Sequence, residues 1–286
     1  LSGTVKEKGT NNPLAATITI DDTPASASTN PTDGSYSLDL PIGTYTATVV
    51  AAAHRITKAV NITVNDGATV VKNFLLDPAP TILLVDGGRW YQESQIGYYQ
   101  QALNDSFYSY DTWQITKPFD TPNDIPTAAA LSNYDIVIWS SPEDSPGYIG
   151  ADTALESFLD GGGKLLLSGQ DVAYFDGGGY IFGSASYLED YLKATYVEDD
   201  SGIDTVTGVS GEPFAGLSLT INGGDGSDDQ FSPDVIANTD SDFAGSLLAY
   251  DDDKLAGLHV GLCVPYRAMF LSFGLEGINS RTDRSQ

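Results

Sequence analysis

The chemistry open to this 286-residue chain is set by a short supply of reactive side chains and a surplus of carboxylates. It has one cysteine, two histidines and 39 Asp and Glu residues. The single thiol, Cys263, excludes an intrachain disulfide and a thiolate zinc site, and it reads best as a small buried hydrophobe. Ser168 ends an apolar run, Lys164-Leu165-Leu166-Leu167, which is where a nucleophile could sit. No G-x-S-x-G elbow surrounds it, and the nearest approach is Gly208-Val209-Ser210-Gly211. The bases on offer are His54, read as a turn or edge residue between Ala53 and Arg55, and His259. A base must first be within reach of its proton. Phosphate cradles are absent as well: Gly161-Gly162-Gly163-Lys164 runs into leucine, and Gly177-Gly178-Gly179 lacks dinucleotide spacing. Ser168 and Glu276 are the catalytic candidates, and non-catalysis is the expectation.

Carboxylates offer a different chemistry. They cluster at Glu198-Asp199-Asp200, Asp225-Gly226-Ser227-Asp228-Asp229 and Asp251-Asp252-Asp253. Oxygen-only ligand sets beside glycine suit Ca²⁺, which takes 6–8 oxygens. Calcium is therefore a candidate at Asp225, Asp228 and Asp229, although Gln230 and Ile236 stand where an EF-hand needs Gly and Glu. Solvated acidic loops are the competing reading. Further carboxylates follow apolar runs: Asp86, Glu143, Asp144, Asp171 and Glu276, with Ser140 and Gln170 beside them. Asp86, Glu143, Gln170 and Asp171 form the expected binding cleft. Asp86 and Asp171 are equally placed to cap helices. Trp90-Tyr91, Tyr98-Tyr99 and Tyr174-Phe175 lie near the same run ends. Aromatics beside carboxylates serve sugar stacking, protein contact or an ordinary core.

Two different periodicities must position these groups. Residues 1–77 alternate with period two, as in Thr17–Ile20, Ser35–Leu40, Thr44–Val49, Ala59–Val64 and Thr69–Phe74. Turns such as Asn65-Asp66-Gly67 break the runs. Six or seven short antiparallel strands of this kind predict a small all-β sandwich. Residues 78–80, Pro78-Ala79-Pro80, read as a stiff linker. From residue 81 to 286 the runs are apolar on both faces: Ile82–Val85, Ile136–Trp139 and Lys164–Leu167. Helix-length segments at Glu93–Phe107 and Thr153–Asp160 alternate with them. This order predicts an α/β domain built on buried parallel strands, with ligands taken beyond their carboxyl ends.

Gly3-Thr4-Val5, Pro13-Leu14-Ala15-Ala16, Thr32–Leu38 and Pro41-Ile42-Gly43-Thr44-Tyr45 resemble the carboxypeptidase regulatory-like domain. That resemblance implies a transthyretin-like sandwich without catalytic residues. The second part resembles the class I glutamine-amidotransferase-like, flavodoxin-like three-layer fold. In that family a cysteine sits on an elbow after a buried strand, and a His-x-Glu follows a late strand. Here the elbow reads Leu167-Ser168-Gly169-Gln170-Asp171, and the late motif reads Phe273-Gly274-Leu275-Glu276. The cysteine and histidine are missing, so the resemblance does not carry the activity over. Leu84–Gly88, Leu131–Trp139, Gly162–Asp171 and Tyr266–Glu276 look more closely like the amidotransferase-like domain found C-terminally in secreted bacterial subtilisin-family peptidases.

Net charge sharpens the partner classes. With 13 Lys and Arg the chain carries −26, which repels phosphate backbones and argues against nucleic acid. No apolar run reaches the ~18 residues of a membrane span. The chain begins at Leu1 without an initiator methionine. It stops a turn after Ser280-Arg281-Thr282-Asp283, a helix-start pattern. Both ends predict a piece of a longer, secreted bacterial protein, short at its C-terminus. The expectation is a non-catalytic accessory region that spaces, stabilises or targets a subtilisin-like serine peptidase and contacts other domains of its parent. A carbohydrate- or peptide-binding module and an unrecognised hydrolase are the alternatives.

Overall fold

A computed structural model of the chain describes residues 1–180, 184–251 and 253–285. Asp252 of the third acidic cluster lies outside the described residues. The chain is rich in β-structure, spread over several sheets. It divides into two compact units: Leu1–Thr81 with Leu103–Tyr110, and Ile82–Ala102 with Asp111–Gln286.

The first unit holds seven strands: β1 (Ser2–Glu7), β2 (Ala16–Ile20), β3 (Ser26–Ser28), β4 (Ser35–Ser37), β5 (Gly43–Ala51), β6 (Thr57–Val64) and β7 (Phe74–Leu76). They form two sheets, ordered β4-β1-β7 and β3-β2-β5-β6. Alternation explains the packing. In β2, Ala16, Ile18 and Ile20 are buried while Thr17 and Thr19 are exposed. The buried set meets Val5, Tyr36, Phe74 and Leu76 of the other sheet in one core. The run expected at Thr69–Phe74 is mostly loop; the strand begins at Phe74. His54 directly follows a two-residue turn and forms an isolated bridge with Pro78, but its side chain is enclosed. It is 7% exposed, with Nδ1 2.7 Å from the Ala52 carbonyl oxygen.

The second unit is built on one mixed sheet. Its strands are β8 (Ile82–Asp86), β9 (Asp111–Gln114), β10 (Ile136–Ser140), β11 (Lys164–Ser168), β12 (Ala194–Glu198), β13 (Thr205–Gly208), β14 (Ser218–Thr220), β15 (Val235–Asn238), β16 (Ala244–Ala249), β17 (Leu255–Val260) and β18 (Arg267–Leu271). Strands β9-β8-β10-β11-β18 are parallel neighbours in that order. β17 joins β18 antiparallel, and the remaining strands continue that antiparallel half. Side chains of β11 and β18 alternate between two cores. Leu165, Leu167, Ala268 and Phe270 enter one, and Leu166, Met269 and Leu271 enter the other. Burial on both faces is why these segments read as unbroken apolar runs. Helices Ile96–Asp105 and Asp152–Asp160 occupy the expected connections. Cys263 departs from expectation. The apolar run of β17 stops at Val260, and Cys263 is exposed in the following turn at φ 57°.

Candidate functional site

Register fixes the site. Gln114, Asp86, Ser140, Ser168 and Leu271 pair in one row across the last residues of the five parallel strands. The lateral order of winding reverses between β8 and β10, the chain stepping from β8 to β9 on one side and then to β10 on the other. In such sheets the crevice for ligands opens at this switch point, beyond the carboxyl ends.

The row and the turns after it hold a group of enclosed acids. Asp86 is fully buried; its Oδ2 accepts from Ser94 Oγ at 2.5 Å and Gln114 Nε2 at 3.4 Å. Burial pushes its carboxyl upward. It does not cap the following 3₁₀ turn, whose N-cap is Gly87. Asp144 accepts from the Trp90 indole N–H at 2.9 Å, and burial raises it to about 7. Glu276 is fully buried and accepts from the Tyr99 hydroxyl at 2.7 Å. Burial, then the nearby Asp229 charge, raises it to about 8. Asp171 accepts from Ser232 Oγ at 3.0 Å, and burial raises it to about 6. It occupies the N-cap position of helix Val172–Asp176 yet makes no side-chain cap bond. Asp234 does that work from another segment, its Oδ2 accepting from the Tyr174 N–H at 2.9 Å. Glu143 is half-buried and meets Gln92 Nε2.

Gln170 acts as a brace. Its Oε1 accepts from the N–H groups of Phe231 and Ser232 at 2.7 and 3.0 Å, and its Nε2 donates to the Asp229 carbonyl at 2.9 Å. The acidic loop at 225–229 is thereby tied to the strand ends. Asp228 Oδ1 accepts from the Gly223 N–H at 3.0 Å. Asp229 Oδ1 accepts from Ser227 Oγ and Gln230 Nε2. Two of the three carboxylates expected to hold calcium thus close the loop itself. Among the described residues, the group whose carboxylate oxygens converge within 4.8 Å is Asp171, Asp199 and Asp234. Asp199 belonged to an acidic run visible in the sequence. Asp234 was missed; its signal is a lone acid abutting the apolar pair Val235-Ile236.

The two catalytic candidates are engaged structurally. Ser168 Oγ donates to the Phe273 carbonyl at 2.9 Å and accepts from the Leu275 N–H at 2.8 Å. Neither partner is a base. His259 Nε2 instead bonds Glu212 at 2.7 Å, and His54 belongs to the first unit. Space is closed too. A Cβ at Gly169 would stand 1.8 Å from the Ser141 carbonyl oxygen, and one at Gly274 would stand 2.1 Å from Glu276 Oε1.

Aromatic side chains cover the same end of the sheet. Trp90 follows β8, Phe119 follows β9, Tyr148 follows β10 and Phe175 follows β11. Trp90 lies 5.2 Å from Phe119 and stacks on Tyr148 at 6.3 Å with 22° between planes. Tyr148 lies 5.0 Å from Phe175 and 6.1 Å from Tyr180. Phe119 and Tyr148 are 62% and 38% exposed, so part of this run faces solvent.

No family model matches the chain, and no curated protein matches it. Among solved structures it is similar to an N-terminal interface mutant of a type II cohesin–X-dockerin complex from Acetivibrio cellulolyticus. That match has 24% identity and a TM-score of 0.23, covering 26% of this chain and 55% of the other. A C-terminal interface mutant of that complex gives 25% identity, a TM-score of 0.21 and coverages of 27% and 53%. The chain spans about half the length of these two. A ThuA-like protein from Bacteroides uniformis gives 11% identity, a TM-score of 0.45 and coverages of 77% and 92%. None of these likenesses assigns a function. Among the described residues, no helix is long and apolar enough to cross a membrane.

Proposed function

We propose that this chain is a non-catalytic binding region whose strand-end surface in the second unit takes carbohydrate. One observation carries the reading. The segments following β8, β9, β10 and β11 each place an aromatic ring in one continuous run: Trp90, Phe119, Tyr148 and Phe175, the last within helix Val172–Asp176. Sugar rings present apolar C–H faces with hydroxyls at their edges. Flat aromatics stack on the faces, and flanking acceptors take the hydroxyls. Trp90 is pinned by its hydrogen bond to Asp144, which limits the entropy lost on binding. Glu143 and Asp171 supply partly exposed acceptors nearby. Neither histidine partners Ser168, since His259 bonds Glu212 and His54 lies against Ala52 and Glu7, which weighs against the hydrolase alternative.

The parallel order β9-β8-β10-β11-β18 is the 2-1-3-4-5 winding of flavodoxin-like domains, and it supports that finer description of the second unit. A transthyretin-like description suits the first. The chain's place beside a subtilisin-family peptidase, in a secreted bacterial protein, rests on the sequence resemblance. Reading the full open reading frame tests that placement.

The binding reading is tested by a glycan array probed with the full chain, followed by calorimetry on the best soluble hit. Phe119→Ala and Tyr148→Ala, both at exposed positions, are each expected to weaken binding roughly tenfold. An array without hits, or variants that bind as the parent does, refutes the reading.

A further inference from the structure

We infer that Asp171, Asp199 and Asp234 form a binding site for a hard divalent cation, calcium. The three acids come from separate segments: the turn after β11, the residue after β12 and the residue before β15. β12 and β15 pair antiparallel, with Glu198 opposite Val235. Asp199 and Asp234 each lie one residue beyond that pair and so face one another. Asp171 completes the triangle because the Asp234 N–H donates to the Gln170 carbonyl at 3.1 Å. One carboxylate oxygen of each residue lies within 4.8 Å of the others.

A second observation points to a ligand. Asp234 is fully buried. Its Oδ2 accepts from the Tyr174 N–H, with the Ala173 N–H also directed at the carboxylate, while its enclosed Oδ1 makes no hydrogen bond of full geometry. A buried carboxylate oxygen left bare is costly unless a cation or donor satisfies it. Among the described residues no basic side chain is paired with it, and Lys254 Nζ bonds Glu198 and the Ser201 carbonyl at 2.8 and 2.9 Å.

The donor set selects the ion. It contains oxygen alone, which disfavours zinc and copper. Asp199 is exposed, so one side of the site admits water to complete 6–8 ligands around calcium. Magnesium demands near-ideal octahedral geometry and sheds its water reluctantly. Ligands drawn from three irregular chain segments suit the more tolerant ion.

The test uses the full chain after chelator treatment, with CaCl₂ and MgCl₂ as probes. Calorimetry is expected to detect one calcium site. At free calcium 100-fold above Kd the melting temperature should rise by roughly 5–10 °C. Terbium, a calcium substitute, should luminesce on tyrosine excitation, because Tyr174 donates to Asp234 and Tyr196 feels the charge of Asp199 and Asp234. D199N alters an exposed position and should fold, yet weaken calcium binding at least tenfold and abolish the terbium signal. The double variant D225N/D228N should bind calcium as the parent does. The assignment is overturned by an absent calcium response, by a D199N affinity within twofold of the parent, by loss of binding in D225N/D228N instead, or by a magnesium response equal to that of calcium.

Discussion

Glu276→Gln should make the second unit more stable as pH rises. The carboxyl is fully buried, and it is raised from 4.5 to about 8, first by burial and then by the Asp229 charge. The unfolded chain releases this proton near pH 4.5, whereas the folded chain holds it to about pH 8. Between those values the native state binds more protons, so stability falls with increasing pH. Below pH 4.5 both states are protonated and nothing is lost; above pH 8 both are ionised and the loss is complete. At about 1.4 kcal/mol per pH unit, the window from 4.5 to 8 gives an upper bound of roughly 5 kcal/mol. Glutamine has nearly the same shape, can still accept from the Tyr99 hydroxyl, and cannot ionise. The variant and parent should lie within about 1 kcal/mol at pH 5 and separate by roughly 3–5 kcal/mol at pH 8, the variant being the more stable. Urea unfolding followed by tryptophan fluorescence reads the right unit, because Trp90, Trp113 and Trp139 all belong to it. With an m of ~2–3 kcal/mol per M, the midpoints at pH 8 should differ by about 1–2 M. A gap that stays constant from pH 5 to 8, or a parent more stable than the variant at pH 8, would refute the reasoning. Either result would mean that Glu276 is ionised and well partnered at neutral pH.

Ser168→Ala should cost about 1–3 kcal/mol, because it strips the Leu275 N–H and the Phe273 carbonyl of their shared partner. Glycan binding at saturating ligand should be unchanged; abolished binding in a folded variant would place the hydroxyl in the site after all. Gly169→Ala should cost more than about 3 kcal/mol, since its methyl would meet the Ser141 carbonyl oxygen at 1.8 Å. A melting temperature equal to that of the parent would show that the β10 turn gives way freely.

Legibility in the sequence followed the range of the interactions. The runs Ile82–Val85, Ile136–Trp139 and Lys164–Leu167 disclosed buried parallel strands because both faces of each strand are covered locally. Their ends could then be aligned, which brought Asp86, Gln170 and Asp171 to one edge. Roles at that edge were less accessible. Capping looked equally suitable for Asp171, but Asp234 supplies the bond to Tyr174 from 60 residues away. Sequence spacing could not reveal this, because β12, β15 and their bulged register bring that segment across. The aromatic run was half visible: Trp90 and Phe175 stood beside strand ends, while Phe119 and Tyr148 lay in loops without periodicity. Cys263 was misjudged for a related reason. A left-handed turn follows Val260 and carries the thiol outward, and no local pattern marks that reversal.

The tight contacts at residues 169 and 274 also bear on which sequences this scaffold can reach by small steps. Any side chain at 274 would place its Cβ 2.1 Å from Glu276 Oε1 and 2.7 Å from Gln230 Nε2. Relief asks the side chains of Glu276 and Gln230 to shift together, because the ends of both line that point. Substitution at 274 is therefore coupled to both neighbours, and through Glu276 to the hydroxyl of Tyr99, which donates to the other carboxyl oxygen.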